Sequence, residues 1–221
     1  MLEDYSKNNQ VAQEKISTKT HIAIVLDRSG SMSSIKDETI EGFNSFVSKQ
    51  KGNDCTLTLV QFDDQDPYEK IYDCQSVDDI PLLTHEYSPR GMTPLLDAIG
   101  RAISDIDSME NKPEKIVLAI ITDGGENDSK EYSQSQIQKL IKDKEAEGWQ
   151  IVFLSSNLSA VQNAAVYNIP TASTMRYASN TNAVKGTWDV FASSVSSYVK
   201  EQNMSINFSD KDRATALEED E

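Results

Sequence analysis

Five oxygen-bearing side chains stand out by type and spacing. Asp27, Ser29 and Ser31 occupy alternate positions in Asp27-Arg28-Ser29-Gly30-Ser31, Thr93 follows Gly91-Met92, and Asp123 follows Ile121-Thr122. Three hydroxyls and two carboxylates, without thiolate or imidazole, are a donor set for a hard cation: magnesium first, with manganese or calcium as alternatives. Positions 27, 29 and 31 face one centre if the chain curls, and Gly30 relieves the backbone at the bend. Two carboxylates balance a divalent charge, whereas neutral hydroxyls in the inner shell leave the ion electrophilic toward an anionic oxygen from outside. Each residue also has a local role open to it. Short polar side chains cap a strand-to-helix turn at 27–31, Thr93 suits the N-cap before Pro94, and Asp123 suits a turn before Gly124.

The elements that would position these residues are legible as alternating short apolar runs and helical stripes. The runs at 21–26, 57–60, 115–121 and 150–154 are short and β-branched, and three are nearly continuous, as in parallel strands buried on both faces. After 57–62, Asp63, Asp64, Asp66 and Pro67 interrupt the chain before a run at 68–74, which predicts an antiparallel edge hairpin. Ser34 and Asp37 have capping-box spacing ahead of Ile40, Phe43 and Val47, with Gly52 as a stop. Thr93-Pro94 leads to Leu95, Ile99, Ala102 and Ile106; Ile137, Leu140 and Ile141 end at Gly148; Val184, Trp188, Phe191, Val195 and Tyr198 form a longer stripe. The pattern predicts an α/β fold: a doubly wound, mostly parallel sheet with helices on both faces and one antiparallel edge hairpin. The expected domain spans 19–203, between a polar N-terminal tail at 1–18 and an acidic C-terminal tail at 204–221. In such sheets ligands gather beyond the carboxyl ends of the strands, near the reversal of strand order. Asp27, Asp123 and the loop at 88–93 all fall there.

At these residues the sequence resembles the von Willebrand factor type A domain and its metal-ion-dependent adhesion site. The pattern D-x-S-x-S is matched by Asp27, Ser29 and Ser31, the separate threonine by Thr93, and the later aspartate by Asp123. Further phrases, Glu41-Gly-Phe-Asn-Ser, Asp97-Ala-Ile-Gly and Asp123-Gly-Gly-Glu-Asn-Asp, look like stand-alone intracellular bacterial and phage members, over about residues 20–200. The resemblance implies a metal held directly by Ser29, Ser31 and Thr93, with Asp27 and Asp123 acting largely through water. It also implies a protein partner whose Asp or Glu completes the octahedron. The stretch at 157–160 departs from the pattern, and its polar loop suits either binding or helix capping.

Composition removes several other classes. The formal net charge is −15, a field that repels phosphate backbones and anionic membranes, so neither nucleic acid nor a membrane surface is the expected partner. No run approaches the roughly 18 apolar residues of a membrane span, and the first residues lack the apolar core of a secretory signal, so a cytoplasmic location is expected. Cys55 and Cys74, without paired C-x-x-C spacing, indicate neither a cysteine zinc site nor a disulfide framework; a hairpin centred near Gln65 would set them nearly opposite, and they are expected to be reduced packing residues. Asp63, Asp64 and Asp66 lack the glycine and distal glutamate of an EF-hand, which leaves a solvated hairpin tip. Glu126, Asn127 and Asp128 stand just past Asp123, where they either rim the metal face or, as the expected reading, serve surface solubility, and Arg90 offsets charge near Thr93, meets the partner's carboxylate or is a generic loop cation.

Against an enzyme, His21 opens the first strand, on the order of 20 Å from Asp27, and His85 lacks a nucleophile elbow. Phosphate-loop and dinucleotide glycine patterns are missing. A magnesium-dependent aspartyl phosphatase would carry a second aspartate two residues after the first, where Ser29 stands. The expectation is therefore a non-enzymatic, divalent-metal-dependent protein-binding module. The alternative is a scaffold or virion-assembly protein that binds through its C-terminal helix or tail, with a vestigial metal site.

Overall fold

The computed structural model describes residues 20–218, and the expected tail at 1–18 lies outside them. The first strand, β1 (Thr20–Asp27), shows how the architecture arises. Its side chains alternate: Ile22, Ile24 and Leu26 enter one apolar cluster and Ala23 and Val25 another, all buried. A strand apolar on both sides needs cover on both sides, and the remaining chain supplies it.

The other strands are β2 (Cys55–Phe62), β3 (Glu69–Ser76), β4 (Lys115–Thr122), β5 (Gln150–Ser155) and β6 (Thr174–Arg176). They form one sheet in the order β3-β2-β1-β4-β5-β6. Every pairing is parallel except β2 with β3, the predicted edge hairpin. Helices α1 (Lys36–Gln50) and α5 (Thr181–Val199) cover one face, and α2 (Leu95–Asp107), α3 (Gln134–Ala146) and α4 (Leu158–Val166) cover the other. On the first face Gly42 of α1 lets the helix lie against the Trp188 ring, where an added Cβ would fall 2.1 Å from Trp188 Cδ1. Phe46 stacks on Phe191 with centroids 4.8 Å apart. The stops expected at Gly52 and Gly148 are present, with φ of +77° and +92°, the left-handed conformation glycine adopts without strain.

Three local expectations are corrected. Ser34 does not cap α1: a 3-10 turn, Gly30–Ile35, precedes that helix, and Ser34 Oγ instead donates to the Ser31 carbonyl at 3.3 Å. Cys55 is buried, but Cys74 is exposed in a positive-φ conformation where the β2–β3 register shifts; both are free thiols. The acidic end expected as a tail from residue 204 packs through residue 216. Ile206, Phe208 and Ala216 join the α1/α5 core, and α6 (Asp210–Thr215) is closed by a Ser209/Asp212 capping box. Arg213 donates to the carbonyls of Thr174 at 2.5 Å and Thr171 at 2.8 Å. Three apolar residues and one arginine thus anchor a segment whose overall composition is acidic.

Candidate functional site

Strand order reverses between β1 and β4, whose last residues lie side by side, and the crevice beyond their carboxyl ends is where an open α/β sheet gathers ligands. Asp27 ends β1 and is fully buried. Its Oδ1 accepts from the Ser29 amide at 2.6 Å and its Oδ2 from Thr122 Oγ1 at 2.5 Å. The chain then bends so that Ser29 Oγ and Ser31 Oγ stand 3.2 Å apart, and Ser31 Oγ donates to Asp123 Oδ1 at 2.6 Å. Thr93 arrives from the opposite side. Pro94, not Thr93, holds the N-cap position of α2, which leaves the threonine hydroxyl to point inward.

Gly124 shows where these groups converge. A Cβ built there would lie 3.3 Å from Thr93 Oγ1, 3.7 Å from Asp27 Oδ2 and 3.7 Å from Ser31 Oγ. The structure thus brings all five predicted residues together from three separate loops. Burial raises the Asp27 carboxyl to about 6 against the hydrogen bonds from Thr122 and Ser29, and the nearby Asp123 adds to the rise. Burial also raises Asp123, against its bond from Ser31. Two partly desolvated carboxylates facing three hydroxyls around one point are chemically suited to a hard divalent cation, whose charge would favour their ionised forms. Among the described residues no group of three or more His, Cys, Asp or Glu has metal-holding geometry; this set has two carboxylates and depends on hydroxyl oxygen.

Supports around the site were largely invisible in the sequence. Tyr87 and Tyr177, both buried, donate to the carbonyls of Asp27 at 2.7 Å and Thr122 at 3.4 Å, fixing the ends of β1 and β4 from below. Burial raises both phenols well above their ordinary range, so they stay protonated donors. Asn127 is no mere solubilising residue: its Oδ1 accepts from the Thr93 amide at 2.7 Å. Glu126 accepts from the amides of Leu96 at 3.0 Å and Ser129 at 2.8 Å, holding the loop after β4 over the start of α2. Asp63, expected at a solvated tip, is fully buried and receives Arg28 Nε at 2.7 Å and Arg90 Nε at 2.8 Å. Arg28 also pairs with Glu69. Nothing local in the acidic run marks Asp63; only its pairing with two distant arginines does.

The histidines lie where the sequence placed them. His21 is buried near the start of β1 with Nδ1 2.9 Å from Thr56 Oγ1, and His85 is exposed beside Thr84. Asn157 caps α4, its Oδ1 accepting from the Ala160 amide at 3.1 Å. No described helix is long and apolar enough to cross a membrane.

Comparison with solved structures agrees on the fold. The mussel byssus proximal thread matrix protein 1 is 16% identical with a TM-score of 0.59, covering 80% of this chain and 46% of that one. The pilus adhesin SpaC of Lactobacillus rhamnosus GG, in its open conformation, is 13% identical with a TM-score of 0.66, covering 85% of this chain and 31% of that one. Manganese-loaded TRAP protein of Plasmodium vivax is 13% identical with a TM-score of 0.50, covering 68% of this chain and 63% of that one. The chain therefore spans less than half the length of the first two. No curated protein matches it significantly. Residues 22–126, which run from β1 through Asp123, match the von Willebrand factor type A domain.

Proposed function

We propose that the chain is a non-enzymatic protein-binding module that engages an Asp or Glu of a partner protein through a divalent cation. Asp27, Ser29, Ser31, Thr93 and Asp123 would hold the cation, magnesium first, with manganese or calcium as alternatives. The observation that carries the reading is the convergence of Thr93, Asp27 and Ser31 oxygens on the space left by the missing side chain of Gly124. When bound, the cation supplies an electrophilic centre for a carboxylate oxygen. The chain's own groups do the positioning. Ser29, Ser31 and Thr93 offer neutral oxygens. The Ser29 amide and the Thr122 hydroxyl fix both oxygens of Asp27, and Asn127 holds the Thr93 backbone. Arg90, 44% exposed along its side chain, places a cation on an otherwise acidic molecule near the point where an acidic partner would approach.

Calorimetric titration with magnesium and manganese tests the metal, and capture of partner proteins with and without chelator tests its use. Saturable uptake lost in Asp27→Ala and Thr93→Ala, with capture that chelator abolishes, is the expected result. Capture that persists unchanged in chelator and in both variants would end the proposal.

A further inference from the structure

We infer that Asp63 is a positioning residue for the metal site, its buried carboxylate tying the loop of Thr93 to the loop of Ser29 and Ser31. The inference rests on the metal-binding reading above. Asp27 and Asp123 sit at the ends of adjacent central strands, and Ser29 and Ser31 follow β1 directly. Thr93 differs: it lies in the irregular stretch at 77–94, one residue before its end, so tertiary ties must set its place. Asn127 provides one on the β4 side.

The turn between β2 and β3 provides the other. Asp63 Oδ2 accepts from Arg28, which lies between Asp27 and Ser29, and from Arg90, three residues before Thr93. Its Oδ1 accepts from the amides of Gln65 and Asp66, each at 2.8 Å. Burial opposes its ionisation, but the Asp66 amide and both arginines outweigh burial and hold the carboxyl below the usual range.

Backbone bonds run beside this bridge. Arg90 N donates to the Arg28 carbonyl at 2.8 Å and Gly30 N to the Gly91 carbonyl at 3.1 Å. The neighbouring Asp64 accepts from the Met92 amide at 2.9 Å. Its Oδ1 fills the space beside Gly91, where a Cβ would fall 1.8 Å away and where φ is +68°. The hairpin turn therefore grips both loops at once. Hard divalent ions hold oxygen ligands within a narrow distance range, so a small drift of the Thr93 loop removes a donor.

Free manganese, followed by electron paramagnetic resonance during titration of the full chain, provides the test. Asp63→Asn and Arg90→Gln should weaken uptake by about tenfold or more, the scale of outer-shell losses at metal sites. Arg90→Lys, whose ammonium still reaches the carboxylate, should stay near wild type. Ile103→Val, a mild core truncation on α2, should lower stability without changing affinity, which separates positioning from general loss of structure. If Asp63→Asn does not fold, the two Arg90 variants decide. Wild-type affinity in Arg90→Gln would overturn this inference alone, as would equal weakening in Arg90→Lys. A wild-type chain that takes up no manganese would overturn the metal reading and this inference with it.

Discussion

Ser31 Oγ donates to Asp123 Oδ1 at 2.6 Å across 92 residues of sequence. The bond joins the loop after β1 to the loop after β4 and thereby closes one side of the space beside Gly124. The hydroxyl proton lies between two oxygens that both belong to the proposed donor set, so this link is the contact metal uptake would have to loosen.

Filling that space with one methyl group tests its role. Gly124→Ala should fold normally, because the nearest oxygen would be 3.3 Å from the new carbon and neighbours need shift by only tenths of an ångström. Manganese affinity should fall by about tenfold or more, by occlusion and displacement of donors. Calorimetry alongside a thermal melt checks both halves. Unchanged affinity would place any metal elsewhere.

Asp27→Asn should stabilise the metal-free chain at pH 7 while abolishing the stabilisation by magnesium that the proposed site predicts for wild type. Burial raises the Asp27 carboxyl from 3.8 to about 6, so holding it ionised at pH 7 costs on the order of 3 kcal/mol. Asparagine keeps an acceptor for the Ser29 amide and removes the charge, for an expected gain of about 1–2 kcal/mol after imperfect hydrogen bonding. A carboxyl raised in the folded state contributes stability below its unfolded value and loses it as pH rises through the folded one. The advantage of asparagine should therefore shrink between pH 7 and pH 4. Urea denaturation at several pH values, with and without magnesium, measures this; a pH-independent difference would contradict it.

Three of the five candidate-site residues were legible in the sequence because they adjoin elements whose period is plain, and Ser29 and Ser31 because they follow Asp27 at alternate positions. Asp27 ends a β-branched run, Asp123 ends another, and Thr93 precedes proline and a helical stripe. The clamps were not legible. Asp63 lies in an acidic run that reads as solvent-facing, and its burial depends on arginines 35 and 27 residues away. Glu126 and Asn127 read as solubilising residues because they accept from the backbone amides of Leu96 and Thr93, which leave no mark on side-chain pattern. β6 is only three residues long, too short to show a period. The packing of the C-terminal segment was not legible because its average composition is acidic, whereas its anchoring rests on Ile206 and Phe208, two side chains buried in the core.

His21 predicts an acid-sensitive stability. Burial lowers its pKa from 6.5 to about 4, opposed by the attraction of Asp73. The folded state holds it neutral while the unfolded chain protonates, so its contribution is present above 6.5 and is lost as pH falls toward 4. The full effect is on the order of 3 kcal/mol. Relative to His21→Gln, wild type should lose stability steadily over that window, as followed by denaturant melts. Parallel pH profiles would show that the imidazole does not drive the loss.

Gly42→Ala should destabilise the fold by about 2–3 kcal/mol, the scale of overpacking in a dense core. The added carbon would lie 2.1 Å from Trp188 Cδ1, and Phe43, Phe46 and Phe191 surround that ring and prevent its retreat. Because this contact lies between α1 and α5, away from the strand ends, the folded fraction should keep wild-type manganese affinity. A melt combined with a titration below the transition separates the two; lost affinity at full folding would mean that α1 packing reaches the site.

Truncation after residue 203 distinguishes a packed segment from a free binding tail. Ile206 and Phe208 are buried in the α1/α5 core, and Arg213 donates to the carbonyls of Thr174, the first residue of β6, and Thr171 just before it. Removing two such apolar side chains from their sites should cost about 3–5 kcal/mol, and the bared edge of β6 should favour self-association. A tail that served only to bind a scaffold partner would leave the melting temperature unchanged on removal. Chelator-sensitive partner capture by the truncated chain, assayed below its lowered melting temperature, would then assign binding to the loops around Gly124. Capture lost at full folding, with manganese uptake intact, would assign it to the C-terminal segment instead.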